Sequence, residues 1–353
     1  MIQSLFARAL CGASVLVLAS ATAFAQDADV VDLGNVVVSA NRTPTEASKV
    51  GSTVSRLSSE DIRKQGQPVL KESLGLLPGI SLVQNGGLGT SSSLFIRGAN
   101  QTYVKVLVDG MDVSDPASTQ TQATFEHILA GGVERVEVLK GSQSTLYGGN
   151  AVAGVVDISN SAVRGSGITH KFDASYGSFD TSAGTYALNA GFERGDFAIR
   201  IGGVNTQGIS AADENAGNTE TDPYENLTLS GTGSFDVNEF ITVFGSARRV
   251  HARTEFDDGF PVRDAINFYG TNDQIGGRAG TTLTLLDGRL KHTVSFQHYE
   301  NERRFVDSFP GTFDGQRNKA DTQTTFELNE FMTLTGGADF EHTSASSSAS
   351  APR

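Results

Sequence analysis

The chain has 353 residues, and its 27 Lys and Arg against 40 Asp and Glu give a formal net charge of −13. This acidic balance argues against nucleic-acid binding, because phosphate recognition needs a face rich in Lys and Arg. Cys11 is the only cysteine and precedes the expected signal-peptide cleavage site, so the mature chain has no disulfide and no cysteine chemistry. Forty glycines and no tryptophan suit many strands and tight turns, in a solenoid or a sandwich as well as in a barrel.

Residues 1–25 have the pattern of a secretory signal peptide. Arg8 precedes a short apolar run at 13–23, and Ala23-Phe24-Ala25 forms a small-residue cleavage site. The alternative, a transmembrane helix, is disfavoured because the run is too short to span hydrocarbon, and no later apolar run approaches that length. The sequence therefore predicts export, with any membrane crossing made by β-strands.

A β-branched run, Val36-Val37-Val38, stands out in the polar segment 26–50, which is expected to be mobile. Such a run forms a short strand, but no partner strand lies nearby in the sequence. It is either the first edge strand of the fold or a strand that pairs with the sheet of another protein. Taken alone, the residues favour the edge strand.

Residues 51–164 have the mixed pattern of a compact α+β domain. Ser58, followed by acidic residues, predicts a helix N-terminus, and apolar residues at helical spacing over 69–77 predict a second helix that ends at Pro78-Gly79. Further short elements are predicted at 93–97, 104–108, 125–129, 134–139 and 153–158.

Residues 165–353 alternate large apolar with small or polar side chains in about nine segments of roughly ten residues, which is typical of transmembrane β-strands. Ile199 and Ile201 share one face, and Arg200 lies on the other. Arg200 is expected on the lumen side, since at mid-bilayer on the lipid face it would cost roughly 2–4 kcal/mol. A soluble β-sandwich alternates in the same way, so this half leaves both architectures open.

Four segments in a fixed order resemble the plug domain of TonB-dependent outer-membrane receptors. They are Phe95-Ile96-Arg97-Gly98 and the stretches 106–110, 133–141 and 144–158. The resemblance implies an α+β plug followed by an antiparallel transmembrane β-barrel of about 22 strands. It also implies location in the outer membrane, contact with its lipid, and insertion by the barrel-assembly machinery.

The resemblance gives the β-branched run a role as the TonB box of the family. Val36, Val37, Val38, Ser39 and Ala40 would then pair with the sheet of TonB, the periplasmic energy-coupling protein. The sequence has no phosphate-binding loop, zinc-protease motif or nucleophile elbow, so we expect a transporter that borrows its energy, and not an enzyme.

Within the family, the stretches 84–87 and 91–93 are most similar to the cobalamin receptors. The similarity implies that plug loops 85–91 and 112–121 reach the outer surface and touch the ligand, through Asn85, Gly86, Gly87, Ser91 and Asp115. A corrinoid is the expected ligand, and a ferric siderophore is the alternative because siderophore receptors share the plug. The glycines fit close approach of a bulky ligand and a flexible turn equally well.

Two departures from the family pattern concern the plug latch and calcium. Arg97 and Lys140 occupy the positions that latch the plug to barrel carboxylates, but lysine lacks the bidentate fork of arginine. For calcium, the cobalamin receptors use acidic barrel loops, and the candidate ligands here are Asp222, Asp257 and Asp258. Tyr224 and His251 stand where carboxylates are expected, which favours solvated acidic loops, and no other cofactor is expected.

About nine predicted strands are far fewer than the 22 of a plugged receptor barrel. Because a bilayer does not tolerate open strand edges, the hypothesis at this stage is a truncated or split receptor. The alternatives are a shorter secreted protein that binds ligand or TonB without transport, and an inert remnant.

Overall fold

The computed structural model describes residues 36–37, 45–46, 50–119, 122–162, 164–259 and 262–349. The predicted signal peptide and Val38, Ser39 and Ala40 lie outside these residues. No described helix is long and apolar enough to cross a membrane.

The described part up to residue 162 contains short strands and helices. The strands are β1 (Val36–Val37), β2 (Thr45–Glu46), β3 (Thr53–Ser58), β4 (Ile80–Gln84), β5 (Ser92–Ile96), β6 (Val104–Val108), β7 (Met111–Asp112), β8 (Arg135–Lys140) and β9 (Gly154–Ser159). The α-helices are α1 (Ser59–Gln65), α2 (Leu70–Gly75) and α3 (Ser144–Tyr147), and 3-10 turns cover Gln101–Tyr103 and Phe125–His127.

Helix α1 begins where the sequence predicts it. The Ser58 side chain accepts from the Asp61 backbone, and the Asp61 carboxylate accepts from the Ser58 backbone, so the two residues form a capping box. Gly66 ends the helix at φ +66°, a left-handed conformation that glycine adopts without steric cost.

The plug, as we name residues 50–160, is built on a five-stranded sheet in the order β3-β8-β9-β6-β7, in which only β6 and β9 are parallel neighbours. Its core contains Val106, Val136, Val138 and Val156, each fully buried. Glu137 lies between Val136 and Val138 on β8 and so faces the opposite side of the sheet, but it is also fully buried. Strand β8 lies inside the sheet and both of its faces are covered, so alternation does not place Glu137 in solvent.

The second half forms a nine-stranded antiparallel sheet in the order β10-β11-β12-β13-β14-β17-β18-β19-β20, with free edges at β10 and β20. Its strands are β10 (Gly167–Gly177), β11 (Thr181–Phe192), β12 (Gly195–Thr206), β13 (Tyr224–Asp236), β14 (Ile241–Glu255), β17 (Tyr269–Leu285), β18 (Leu290–Val306), β19 (Gly311–Asn329) and β20 (Met332–Ala349). A small hairpin, β15 (Asp258–Gly259) and β16 (Val262–Arg263), and a 3-10 turn at Glu214–Ala216 lie in the loops. The boundary expected at 164–165 falls in the connection between β9 and β10.

The outer face of this sheet carries an apolar stripe, which the exposed Arg249 beside Leu229 interrupts. Tyr186 pairs with Ile201, and Ile201 pairs with Leu229, and all three side chains are exposed. The strands are 11 to 19 residues long, enough to cross hydrocarbon, which takes about 9–11 residues per strand. The alternation is therefore that of barrel strands with an apolar outer face, as the sequence predicts.

The inner face of the sheet packs on the plug. Tyr299 of β18 belongs to the plug's hydrophobic core, and Arg200 of β12 is 5% exposed. Arg200 thus lies on the predicted lumen side, where it meets plug atoms.

Candidate functional site

The two ends of the sheet differ in their connections. The turns at 193–194, 237–240, 286–289 and 330–331 are short, whereas the opposite end carries the longer loops 207–223 and 256–268. In outer-membrane barrels the short turns face the periplasm and the long loops face outward. We call the end with the long loops the mouth.

The plug loop 85–91 lies at the mouth, as predicted. A Cβ at Gly86 or Gly87 would touch Ala211 or Ile209 of the long loop 207–223. The Gly89 carbonyl accepts from Thr254 Oγ1 at 3.1 Å, near the upper end of β14. Loop 85–91 of the plug is therefore in contact with the barrel wall.

Hydrogen bonds inside the plug also shape this loop. Lys71 Nζ donates to Gln84 Oε1 at 2.7 Å, and Gln84 Nε2 donates to the Gly87 carbonyl. Thr90 Oγ1 donates to the same carbonyl at 2.7 Å. A buried lysine of helix α2 is thus connected to the predicted ligand loop, and burial lowers the pKa of Lys71.

Gly89 is required for packing. Its φ is +81°, and a Cβ built there would overlap the ring of Tyr224. Gly87 has no positive φ. Gly86 has a φ of +120°, and a Cβ there would lie 3.3 Å from Ala211 and Thr90, a close contact but not the overlap that arises at Gly89. The clearest glycine requirement in the loop comes from the barrel wall and not from a ligand.

Asp115 is placed differently from the expectation. It is 2% exposed, its Oδ2 lies 2.7 Å from Arg303 Nε, and its Oδ1 accepts from the Ala117 amide at 2.8 Å. Its carboxylate therefore binds the barrel wall and is not open at the loop surface. The sequence could not show this, because the partner lies on β18.

Asp112 is the centre of a buried charged cluster next to Asp115. Arg317 Nη1 lies 3.3 Å from its carboxylate and donates to the Ser114 carbonyl at 3.0 Å, and Lys105 contacts the carboxylate from the plug side. Burial alone would raise the pKa of Asp112, but the charges of Lys105 and Arg317 outweigh it and hold the pKa well below its usual range.

The predicted latch residues contact the plug itself. Lys140 Nζ donates to the Pro78 carbonyl, and Arg97 sits in a turn at φ +52°. Within the described residues, neither forms an ion pair with a carboxylate of strands β10–β20. The latch at Arg97 and Lys140 therefore stays a prediction.

In the observed ion pairs between plug and barrel the acids lie on the plug and the cations on the sheet. This is the reverse of the predicted latch, in which plug cations bind barrel carboxylates. Glu134 lies 3.2 Å from Arg200 Nη2 and 2.7 Å from Lys171 Nζ, in addition to the pairs made by Asp112 and Asp115. Sequence reasoning missed these pairs. The sequence does contain a signal for them, because the four cations all occupy lumen-side positions of their strands: Lys171, Arg200, Arg303 and Arg317.

Tyr224 stands where the family pattern has a calcium ligand, and in the structure it joins the barrel to the plug. Its hydroxyl donates to the Glu126 carbonyl at 3.1 Å and lies 3.2 Å from His127 Nδ1. Burial raises the pKa of Glu126 to about 7 and lowers that of His127 to about 3, so His127 is neutral at physiological pH.

An acidic cluster forms at the mouth. Carboxylate oxygens of Glu220, Asp257 and Asp264 all lie within 4.8 Å of one another. Asp222 is beside them: its Oδ2 accepts from the Ala211 amide at 2.8 Å, and its buried Oδ1 has no hydrogen-bond partner among the described residues. Burial and the neighbouring carboxylates raise the pKa of Glu220 to about 7 and of Asp222 to about 6.

Of the expected calcium ligands, Asp222 and Asp257 thus come together. The side chain of Asp258 is not among those that the structure describes. Glu220 and Asp264 were missed because they are distant in sequence. His251 points away from the cluster and pairs with Asp273 at 2.7 Å.

The predicted TonB box is described only at β1. Val36 pairs with Glu46 and Val37 with Thr45 in an antiparallel ladder of two residue pairs. Strand β1 therefore pairs with another strand of the same chain, β2, which is at most ten residues away in the sequence.

The chain is similar in sequence to a known domain family and to known transporters. The family model described as TonB-dependent Receptor Plug Domain matches residues 46–155. The chain is 31% identical to the vitamin B12 transporter BtuB of Vibrio vulnificus (strain CMCP6) over 253 residues, 70% of this chain and 41% of that protein. It is 30% identical to the vitamin B12 transporter BtuB of Vibrio cholerae serotype O1 over 315 residues, 86% of this chain and 50% of that protein. The chain thus spans about half the length of these curated relatives.

Solved structures agree on the fold. The pyoverdine-bound receptor FpvA of Pseudomonas aeruginosa superposes with a TM-score of 0.68 at 13% identity, covering 88% of this chain and 45% of that one. The siderophore receptor PiuA of Acinetobacter baumannii gives 0.67 at 16% identity, covering 86% and 48%. These likenesses confirm the α+β plug followed by antiparallel barrel strands, and at such identities they carry the fold alone.

Proposed function

We propose that this chain, whose residues 46–155 form a plug domain of the TonB-dependent receptor family, is part of an outer-membrane receptor that takes up a corrinoid by TonB-coupled active transport. The observation that carries the proposal is the extent of the likeness to vitamin B12 transporters, which covers 70% and 86% of this chain and so runs past the plug into the sheet.

The geometry fits a receptor whose ligand arrives at the mouth. Loop 85–91 lies there, held by Thr254 and by the Lys71–Gln84 hydrogen bond, so a ligand that touches this loop contacts a plug segment that is itself bonded to the barrel. Asn85, Gly86, Gly87 and Ser91 are the residues we propose for this contact. Asp115 is left out, because its carboxylate is already paired with Arg303.

In this proposal energy enters through strand β1. Strand β1 is joined to β2 by only two residue pairs, so exchanging that ladder for a strand of TonB costs little, at about 1 kcal/mol net per hydrogen bond. Val36 and Val37, with the neighbouring residues 38–40, are the proposed contact.

A ferric siderophore is the second candidate ligand. The structural neighbours include siderophore receptors, but their identities of 13% and 16% support the fold and not the ligand. The sequence relatives, at 30% and 31%, favour a corrinoid.

Val37→Pro tests the coupling. Proline removes a backbone donor that strand pairing needs, so uptake of labelled cyanocobalamin by cells should fall to the level of a strain lacking TonB. Val37→Thr keeps the donor and the β-branched shape and should retain uptake. Uptake by the proline variant equal to that of the parent would refute the role of β1.

We also propose that the acidic cluster at the mouth holds a calcium ion. Calcium takes roughly six to eight oxygen ligands, and Glu220, Asp257 and Asp264 supply three carboxylates, with the unpartnered Oδ1 of Asp222 beside them. Backbone amides occupy some oxygens of Asp257 and Asp264, so water would have to complete the shell.

Asp264→Asn checks the calcium proposal. Calcium should raise the thermal midpoint of the parent, with half-saturation at a defined concentration, and the variant should lose most of that rise. Asp287→Asn, in a short turn at the opposite end of the sheet, serves as the control and should keep it. An equal calcium effect on parent and Asp264→Asn would leave the cluster as solvated acidic loops.

A further inference from the structure

A small cavity of about 40 Å³ lies between the plug and the inner face of the sheet. Gly131 and Asn160 line it from the plug, and the hydroxyl-bearing Thr185 and Ser230 line it from the sheet. Two arginines, Arg200 and Arg248, complete its polar wall, and no carboxylate is among its lining residues. The polar part of the lining therefore consists of positive and neutral groups, and the rest is largely apolar, including Val108, Ile128 and Val133.

Arg248 is buried without a matching charge. It is 7% exposed, and its Nη1 donates to Gln274 Oε1 at 3.0 Å, which is a neutral acceptor. Among the described residues, no carboxylate lies within 4.0 Å of its guanidinium. A buried charge without a counter-charge is unfavourable, so the site favours a negative partner.

Arg200, which lines the same cavity, has one guanidinium nitrogen that donates to no described residue. Its Nη2 lies 3.2 Å from Glu134 and 3.1 Å from Asn189 Oδ1, and its Nε donates to the Gly132 carbonyl. Its Nη1 is buried and has no hydrogen-bond partner in the described part of the chain. The ion pair with Glu134 thus satisfies one side of the guanidinium only.

Asp109 is the carboxylate whose charge acts on both arginines, but it does not fill the cavity. Its two oxygens accept from the Asn160 backbone at 2.7 Å and from Asn160 Nδ2 at 2.8 Å. Burial raises the pKa of Asp109, which weakens it as a counter-charge.

We propose that this cavity binds a small monovalent anion of the halide type, chloride in physiological media, between Arg200 and Arg248. The volume corresponds to about three water-sized spheres, which suits one halide and is too small for sulfate or phosphate with their own hydration. Water alone would satisfy donors but would not neutralise Arg248. The anion would join the plug to the barrel at a point independent of the ligand, so this proposal does not rest on the corrinoid proposal.

Chloride replacement tests the site on the full chain folded in detergent. We expect the thermal midpoint, followed by circular dichroism, to rise saturably as gluconate is replaced by chloride at constant ionic strength, because chloride binds only the folded state. Arg248→Gln should abolish that rise. Arg249→Gln removes the same charge from the exposed face of the same strand and should keep the rise. Equal midpoints of the parent in both salts, or a rise in Arg248→Gln that matches the parent, would overturn the proposal.

A second measurement needs no variant. In crystals of the unaltered chain soaked in bromide, an anomalous peak should lie between Arg200 and Arg248. Ordered density at that position without anomalous signal would mean water and would also overturn the proposal. If Arg248→Gln does not fold, Ser230→Ala replaces it, with a weakened chloride effect expected and an unchanged one counting against the site.

Discussion

Arg317 shows how single residues join the two halves of the molecule. It is among the largest fully buried side chains, and it reaches Asp112 and Ser114 on the plug while its Nε lies 3.1 Å from Glu341 on the next strand. A buried pair of this kind contributes little net stability when complete, but removing one partner costs about 3–5 kcal/mol. Such residues fix the position of the plug more than they stabilise the chain.

Glu126 makes stability depend on pH. Burial raises its pKa to about 7, although a hydrogen bond from Ser92 Oγ at 2.9 Å opposes the rise. Between about pH 4.5 and 7 the folded state keeps a proton that the unfolded state has released. The contribution of Glu126 to the free energy of unfolding therefore falls as pH rises through this window.

Glu126→Gln should flatten that fall by on the order of 3 kcal/mol, measured as denaturant unfolding at a series of pH values. Some slope should persist, because the pKa of Asp157 is also raised to about 7, first by burial and then by Glu137. Glu60→Gln is the control: that side chain is exposed and paired with Lys64, and its pKa is lowered, so the fall should persist in full. An unchanged slope in Glu126→Gln would show that Glu126 titrates normally.

The residue scale is where sequence reasoning was weakest, and for a physical reason. The cap at Ser58 was predictable because its partner Asp61 is three residues away. The pairs of Asp115 with Arg303 and of Asp112 with Arg317 join residues about two hundred positions apart, and no local pattern encodes them.

At the scale of elements, loop 85–91 is fixed to the barrel wall at Gly89, whose carbonyl accepts from Thr254 Oγ1. Gly89→Ala should displace it, because a Cβ would meet Tyr224 and φ +81° is strained for any other residue. We expect a loss of stability above the roughly 1 kcal/mol of backbone strain, together with weakened ligand binding. Differential unfolding and equilibrium binding would measure the two effects.

Gly66→Ala is the matched control for this change. Gly66 also has a positive φ, +66°, but a Cβ there meets nothing within 4 Å. It should lose only the strain energy and keep ligand binding. Equal losses in the two variants would mean that contact with Tyr224 does not shape the loop.

Strands were the most predictable elements, since the alternation of outward and inward side chains is a local pattern with a period of two residues. Ile199 and Ile201 face outward and Arg200 inward, as expected. Alternation failed at Glu137, because β8 is covered on both faces and a buried sheet does not separate polar from apolar positions.

At the scale of the whole molecule, plug and sheet form one arrangement held by polar contacts along its height. Glu134 with Arg200, Asp112 with Arg317, and Gly89 with Thr254 link different levels of the plug to different strands. The sequence predicted both halves and their order through ordered motifs. It did not predict the contacts between them, which arise only when the sheet wraps the plug.

Equilibrium binding of radiolabelled cyanocobalamin to outer membranes that carry the folded protein tests the central claim most directly. A corrinoid receptor predicts saturable binding that excess unlabelled cobalamin displaces and that a ferric siderophore such as ferripyoverdine leaves intact. Displacement of the label by the ferric siderophore, or absence of saturable cobalamin binding, would contradict the claim.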